Sequence, residues 1–210
     1  MIDWLEKVYS ATGDIAQLET AYDGWAEGYD ESVSALGYTN PALVSALFAR
    51  LMPDVSGPIL DAGCGTGVIG EILSLAGYEF IDGIDLSGGM LKRAKARGVY
   101  RSLGRAVLGE PLEIETGTYA GVVSSGVFTV GHAPASAFNE IARILKPGGV
   151  FALSITDPAF EAGGFGDAMI ELEQAGVWAP AATSGSYLPL PNAEPAHRHP
   201  GRVYALRKQG

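Results

Sequence analysis

The segment that most restricts this chain is Pro58-Ile59-Leu60-Asp61-Ala62-Gly63-Cys64-Gly65-Thr66-Gly67. Its first half is a short apolar run of the kind that forms a strand buried on both faces. The run ends in an acid and passes into alternating glycines ahead of an apolar, helix-like stretch. Glycines carry no Cβ, so the chain turns sharply there and a ligand can lie against bare backbone. A strand, a tight turn and a helix in succession are the first half of a βαβ unit, which points to a parallel sheet with crossover helices.

The pattern downstream keeps that alternation. Short apolar runs predict strands at Pro58–Ala62, Phe80–Asp85, Tyr100–Val107, Gly121–Ser125 and Val150–Thr156, with helices at Val68–Ala76, Gly88–Arg97 and Ala135–Leu145. Leu145-Lys146-Pro147-Gly148-Gly149 closes the last of these helices with a cation, a proline and two glycines, then feeds a strand. Five prolines between Pro180 and Gly201 predict a loop or edge hairpin, closed by a strand at Arg202–Arg207. Upstream, Asn40 as N-cap, Pro41 at the first helical position and Leu43, Leu47 and Leu51 on one face mark a helix, one of two or three before the first strand.

With 210 residues the chain suits a single domain, read as an N-terminal helical cap over 1–53 and an α/β core over 57–210. The expected fold is a doubly wound, seven-stranded, mostly parallel Rossmann-like sheet in the order 3-2-1-4-5-7-6, its last strand antiparallel. A ligand site then belongs outside the carboxyl ends of the strands.

Charge narrows the partners. A net charge of -10 repels nucleic-acid phosphates unless a basic stripe overrides it. The nearest such feature, Lys92, Arg93, Lys95, Arg97, Arg101 and Arg105, reads as a solvated helix face and its exit. No apolar run approaches the roughly 18 residues of a membrane span. The opening Met1-Ile2-Asp3-Trp4-Leu5-Glu6 is acidic where a signal peptide is basic, and Cys64 is the single cysteine. Together these predict a cytoplasmic location, no membrane contact and a small-molecule partner.

The second strand ends at Ile84-Asp85-Leu86-Ser87, which sets Asp85 beside the glycine loop, where a carboxylate can accept both hydroxyls of a ribose. Gly65-Thr66-Gly67-Val68-Ile69-Gly70 also fits the dinucleotide pattern, with Asp85 at the expected distance beyond it. Against that reading, a pyrophosphate would meet the Asp61 carboxylate, and the first glycine after the strand is Gly63, giving Gly63-x-Gly65-x-Gly67. A nicotinamide-dependent oxidoreductase is therefore the lesser alternative.

In their order and spacing, Leu60 to Gly67, Gly83-Ile84-Asp85-Leu86-Ser87, Gly121-Val122-Val123-Ser124-Ser125-Gly126 and Ile144-Leu145-Lys146-Pro147-Gly148-Gly149 resemble the motifs of class I S-adenosylmethionine-dependent methyltransferases. The likeness spans about 57–156. Tyr22-Asp23-x-Trp25-Ala26-x-x-Tyr29-Asp30 and Ser124-Ser125-Gly126-Val127-Phe128 further resemble the Williams-Beuren-type branch. The resemblance implies methyl transfer from S-adenosylmethionine to a small acceptor, with S-adenosylhomocysteine as product. A non-catalytic S-adenosylmethionine-binding sensor or partner subunit is the alternative. It also implies that the turn built from Ala62, Gly63, Cys64, Gly65 and Gly67 holds the methionine end, that Asp61 lies near the ammonium and that Asp85 grips the ribose. Leu86 and Met90 would flank the adenine, and Ser124 and Ser125 would border the cofactor after the fourth strand. Val107 stands where an acid often meets the adenine amino group, leaving that task to backbone at Val107 and Leu108, and Ala120 replaces a second customary acid.

Several residues carry two readings. Tyr22, Trp25 and Tyr29 share a helical stripe that either lids the cofactor, as the family implies for Tyr22 and Tyr29, or packs on the core. His132, after the fourth strand, stands either as a proton acceptor for the nucleophile or as an ordinary loop histidine. His197 and His199 would share a face on a strand, yet two imidazoles without an acid make a poor metal site, so none is assigned. Cys64 is read as a small residue in the turn and not as a nucleophile, and Glu171 and Glu173 as the wet face of a helix.

Overall fold

The computed structural model describes residues 4–11, 13–129 and 131–210. Met1 to Asp3, which begin the acidic N-terminal segment, and Val130, within the stretch leading to His132, lie outside the described residues. Seven strands form one sheet: β1 (Ile59–Ala62), β2 (Ile81–Asp85), β3 (Ser102–Arg105), β4 (Tyr119–Ser124), β5 (Leu145–Thr156), β6 (Trp178–Thr183) and β7 (Gly201–Lys208). Their order is β3-β2-β1-β4-β5-β7-β6. The pairs from β3 through β5 are parallel, and β7 runs antiparallel to both β5 and β6. This is the order and the polarity that the βαβ pattern and the family resemblance led us to expect.

Alternation of side chains across the pleat divides the core into two layers. Leu60, Val122 and Phe151 face one side, packed on α7 (Ala137–Ile144), α8 (Asp157–Ala162) and α9 (Phe165–Gln174) through Phe138, Ala159 and Phe165, with Trp178 of β6 in the same cluster. Ile59, Val123 and Val150 face the other, against α4 (Asn40–Leu51) and α5 (Val68–Leu75). Every residue of β1 is buried, as a central parallel strand requires. The remaining crossover, α6 (Gly88–Ala96), joins β2 to β3.

Four helices precede β1 among the described residues, where two or three were expected: α1 (Trp4–Ser10), α2 (Ile15–Trp25), α3 (Tyr29–Ala35) and α4. Asn40 is not the N-cap of α4; Thr39 holds that position. The Asn40 amide instead donates to Ser154 Oγ at 3.0 Å, and its carbonyl oxygen accepts from Tyr187 Oη at 2.7 Å, tying the helix to β5 and to the loop before β7. The buried stripe of α4 is Val44, Leu47 and Phe48, and Leu43 is 37% exposed. A four-residue step overshoots a 3.6-residue turn by about 40°, so a stripe drawn through Leu43, Leu47 and Leu51 drifts off the core face.

Two boundaries also differ from expectation. Helix α7 ends at Ile144, and Lys146 to Gly149 form a bulge at the start of β5, between the pairs Tyr119↔Leu145 and Gly121↔Val150. Gly148 takes φ +80° to make it. At the other end, Pro180 lies inside strand β6. That strand pairs only with β7, so a residue without an N–H is tolerated at the sheet edge.

Gly121 of β4 is one of the points where α4 meets the sheet. A Cβ there would lie 2.4 Å from Cζ of Phe48, a ring fully buried and unable to move aside. Gly121→Ala should cost about 1–3 kcal/mol of stability by overpacking and lower the melting temperature by roughly 2–12 °C. An unchanged melt would show that α4 is not seated against β4 by this contact.

Candidate functional site

The turn after β1 passes through Gly63, Gly65 and Gly67 at φ +75°, +54° and +89°. A Cβ on Gly63 would lie 2.2 Å from Val127 Cγ2, so glycine is required there for space as well as for φ. The amides of Gly63 and Cys64 both donate to the Ile84 carbonyl, at 2.8 and 2.9 Å, fastening the turn to the end of β2. One residue further on, Asp85 completes the closure. Its Oδ2 accepts from the Gly65 amide at 2.8 Å and its Oδ1 from the Ser87 amide at 2.9 Å. Ser87 then caps α6 by accepting from the Met90 amide.

Two cavities open on either side of this turn. The first, about 260 Å³, is walled by Tyr22, Tyr29, Gly63, Gly65, Asp85, Leu86, Met90, Val107, Leu108, Ser125 and His132. The second, about 410 Å³, brings in Asp61 and Cys64 and shares Tyr29, Gly63, Gly65 and Ser125 with the first. Of the residues expected at the site, Ala62, Gly67 and Ser124 line neither cavity. Ser124 is buried beneath the turn and donates to the Ala62 carbonyl at 2.7 Å, tying β4 to β1, while Gly67 carries the chain into α5. Trp25 is packed away from the cavities against Trp4, Tyr22 and Tyr29, so the stripe divides: Trp25 in the core, the two tyrosines at the wall.

The charge balance at the turn is unusual. Asp61 is 1% exposed; the Tyr100 hydroxyl donates to it at 2.7 Å, and among the described residues no salt bridge reaches it. Burial pushes its carboxyl up to about 7, with Asp85 adding to the rise and Tyr100 opposing it. Burial also raises Asp85 above the usual carboxylate range, against the pull of the Ser87 and Gly65 amides. A buried acid and a half-buried one, neither in a salt bridge among the described residues and both beside a glycine cradle, suit a positively charged ligand better than a pyrophosphate. Burial, reinforced by Asp61 and Asp85, pushes the Cys64 thiol pKa up, so it stays a neutral thiol and no nucleophile.

Sequence reasoning missed what holds the N-terminal helices over the site. Glu19, Asp23, Glu27 and Asp30 recur at helical spacing, and each finds a partner on the sheet side. Glu19 pairs with Arg105, Asp23 accepts from Ser87 Oγ and the Gly89 amide, and Glu27 pairs with Arg93. Asp30 accepts from Thr66 Oγ1 and from Arg97, which also donates to the Thr66 carbonyl and to Glu71. Arg101 pairs with Asp82. The basic run read as a solvated face is thus mostly a set of docked partners, and the acids three or four residues apart were the available signal.

On the far wall, His132 Nε2 lies 3.0 Å from Tyr22 Oη. Tyr9 sits edge-on to His132 and stacks on His197 at 5.3 Å. His197 ends a 3-10 turn, Pro195–His197, so the shared strand face imagined for His197 and His199 does not exist. Tyr38, 3.1 Å from Ser125 Oγ, and Glu110, on the wall beyond Val107, were also unforeseen. Nothing in the local sequence singles them out.

Fold, turn and acids together define a class: the chain belongs to the class I S-adenosylmethionine-dependent methyltransferases. Residues 60–153 match the family model described as a methyltransferase domain. Human methyltransferase-like protein 27 is 35% identical over 195 residues, covering 84% of this chain and 77% of its own length. A ubiquinone biosynthesis O-methyltransferase of Xanthomonas oryzae pv. oryzae is 32% identical over 134 residues, 61% of this chain and 54% of that protein. More partial relatives include one named for 18S ribosomal RNA. Among solved structures, an S-adenosylmethionine-dependent methyltransferase from Mesorhizobium loti superposes with a TM-score of 0.60 at 22% identity, over 78% of this chain and 96% of the other. The cofactor is S-adenosylmethionine. Among the described residues no helix is long and apolar enough to cross a membrane.

The raised Asp61 carboxyl predicts a pH dependence of stability. Folded, it keeps its proton up to about pH 7; unfolded, it loses it near pH 4. The folded state therefore binds more protons between those values, and the Asp61 contribution falls as pH rises from about 4 to about 7, then levels. Asp61→Asn removes this, so its melting temperature should gain on wild type between pH 5 and 8. Parallel melting curves across that range would show that Asp61 is not protonated in the fold.

Proposed function

We propose that this methyltransferase acts on a small-molecule acceptor held between the turn after β1 and the helices α1 to α3. The observation that carries the reading is the pair of acids at the glycine turn, Asp61 buried and Asp85 half-buried, neither held in a salt bridge among the described residues. When bound, S-adenosylmethionine supplies a sulfonium-borne methyl that a nucleophile displaces in line. Asp85 takes the ribose hydroxyls; each of its oxygens holds one backbone amide and retains a further lone pair. Leu86 and Met90 flank the adenine, with the backbone of Val107 and Leu108 and the Glu110 carboxylate at its edge. Gly63, Gly65 and Ser125 bracket the methionine end where the two cavities meet, and Asp61 attracts its ammonium. Tyr22 and Tyr29 cover the cofactor, and His132 takes the acceptor's proton.

A small acceptor is supported by the arginines themselves. Arg93, Arg97, Arg101 and Arg105 are engaged by acids and do not form a track for phosphates. The O-methyltransferase relative named for ubiquinone biosynthesis agrees with this. We also infer a cytoplasmic location, supported by the lone, buried cysteine, and place the chain in the Williams-Beuren-type branch on its Tyr22-Asp23 and Tyr29-Asp30 pairs. Release of S-adenosylhomocysteine with a methylated product separates an enzyme from a sensor; cofactor binding without product under any small-molecule mixture would favour the sensor.

Asp85→Ala should weaken S-adenosylmethionine and S-adenosylhomocysteine about equally, by roughly 10- to 1,000-fold, because both share the ribose and a carboxylate bond to a hydroxyl contributes about 1.5–3 kcal/mol. Isothermal titration reads this, with a thermal melt as control for folding. A folded variant binding both ligands as tightly as wild type would remove Asp85 from the site. Hydrogen exchange over residues 14–38 should slow when S-adenosylhomocysteine binds, since those helices roof the first cavity. Equal exchange in both states would rule out a lid.

A further inference from the structure

The wall opposite Asp85 contains a hydrogen-bonded pair whose chemistry the cofactor does not use. Tyr22 comes from α2 and His132 from the loop after β4, and their Oη and Nε2 atoms lie 3.0 Å apart on the wall of the first cavity. Burial raises the Tyr22 phenol well above its ordinary pKa, with Asp85, Tyr38 and Tyr9 adding to the rise, so it remains O–H. A neutral phenol has one proton to give and two lone pairs to receive. With the imidazole neutral and Nε2 bare, the Tyr22 proton points at His132 and what the phenol turns to the cavity is a lone pair. A ligand meeting Tyr22 there must bring its own proton.

We propose that Tyr22 touches the methyl acceptor and relays its proton to His132, and that the acceptor is an uncharged phenol-type hydroxyl. The inference rests on the reading of His132 as the terminal proton acceptor and deepens it. As the acceptor oxygen forms its bond to the methyl carbon, the sulfur–methyl bond breaks and its electron pair stays on sulfur, leaving S-adenosylhomocysteine. The hydroxyl proton passes to Tyr22 Oη while the Tyr22 proton passes to His132 Nε2, giving an imidazolium that later returns it to water. The charge lost at sulfur is the charge gained at the imidazole.

The surroundings select the acceptor. Among the described residues lining this cavity there is no lysine or arginine to hold a carboxylate or phosphate. An ammonium would arrive without a lone pair for the methyl group, whereas a neutral hydroxyl surrenders its proton as it attacks. The rings of Tyr22 and His132 meet edge-on at this wall, offering flat faces to a flat acceptor, and Tyr9, which itself stacks on His197, packs edge-on against His132.

The direction of the relay is readable without turnover. In the S-adenosylhomocysteine-loaded protein, long-range nitrogen NMR of the His132 ring should show Nδ1–H with Nε2 bare, and Tyr22→Phe should shift the ring toward Nε2–H; a wild-type Nε2–H tautomer overturns the proposal. For activity, catechol serves as the phenol probe, benzylamine as the cation and benzoate as the anion. Catechol should be methylated, Tyr22→Phe and His132→Gln should each lower kcat about tenfold or more, and the double variant should lose no more than either single one. Methylation of benzylamine or benzoate in its place, of none of the three, or losses that multiply in the double variant, would each overturn it. Titration with S-adenosylhomocysteine keeps the readings separable: binding within about twofold of wild type in His132→Gln isolates the relay, whereas failure of wild type to bind would sink the cofactor site itself.

Discussion

The closure of the glycine turn on the end of β2 governs the rest of the site. Two successive amides share the Ile84 carbonyl, and the next residue, Asp85, uses its carboxylate to hold the Gly65 amide on one side and the Ser87 amide on the other. Ser87 in turn starts α6 and meets Asp23 of α2. A single carboxylate therefore sets the shape of the turn, the start of the crossover helix and, through Ser87, the position of the N-terminal helices. The desolvation this imposes on Asp85 raises its pKa, and the amides that hold it in place pull the other way. A ligand that brings hydroxyl donors completes the carboxylate's hydrogen bonding without disturbing the closure.

The docking of α2 and α3 follows from the same geometry but has a different strength. Ion pairs such as Glu19–Arg105 and Glu27–Arg93 are partly to well exposed, and pairs of that kind contribute about 0–1 kcal/mol each. Arg97 is more enclosed and touches three acceptor groups at once, on α3, the turn and α5. A row of weak pairs fixes register along the helices, and one enclosed arginine fixes their height above the turn. Such an arrangement opens at low cost, as the proposed cover over an exchanging cofactor would need.

The parts of the fold legible in the sequence were those that local chemistry determines. Strand β1, the glycines that must take positive φ and the acid ending β2 all state their role within a few residues; handedness and connectivity rules then leave few sheet orders, of which the family resemblance selects one. The errors lie where the partner is remote. Asn40 looks like an N-cap because asparagine caps helices, yet its bonds run to Ser154 and Tyr187, 114 and 147 residues away. Ser124 and Ala62 sit in the right motifs but hold each other beneath the turn, because alternate residues of a strand point to opposite sides. Arg97 could not be told from its exposed neighbours without knowing that α3 crosses above it. Tyr9 and Tyr38 reach the site from elements whose packing no local pattern announces.

These remote contacts decide the medium in which the methyl moves. Ile15, Leu18, Leu86, Met90, Val107 and Leu108 give the first cavity an apolar lining, and burial raises the pKa of the Tyr22, Tyr29 and Tyr38 phenols, so the polar groups they bring are uncharged. Attack by a neutral oxygen on a sulfonium spreads one positive charge over more atoms as the transition state forms, so strong solvation of the starting cation would slow it. Water is the strongest solvator at hand, and a roof of aromatic side chains excludes it. A cation at the same wall would repel the sulfonium, and Arg97, which borders the second cavity, is paired with Asp30 and Glu71. The acid stripe that fastens the cap therefore has an electrostatic consequence as well: by occupying the guanidinium, it keeps that cation paired with Asp30 and Glu71.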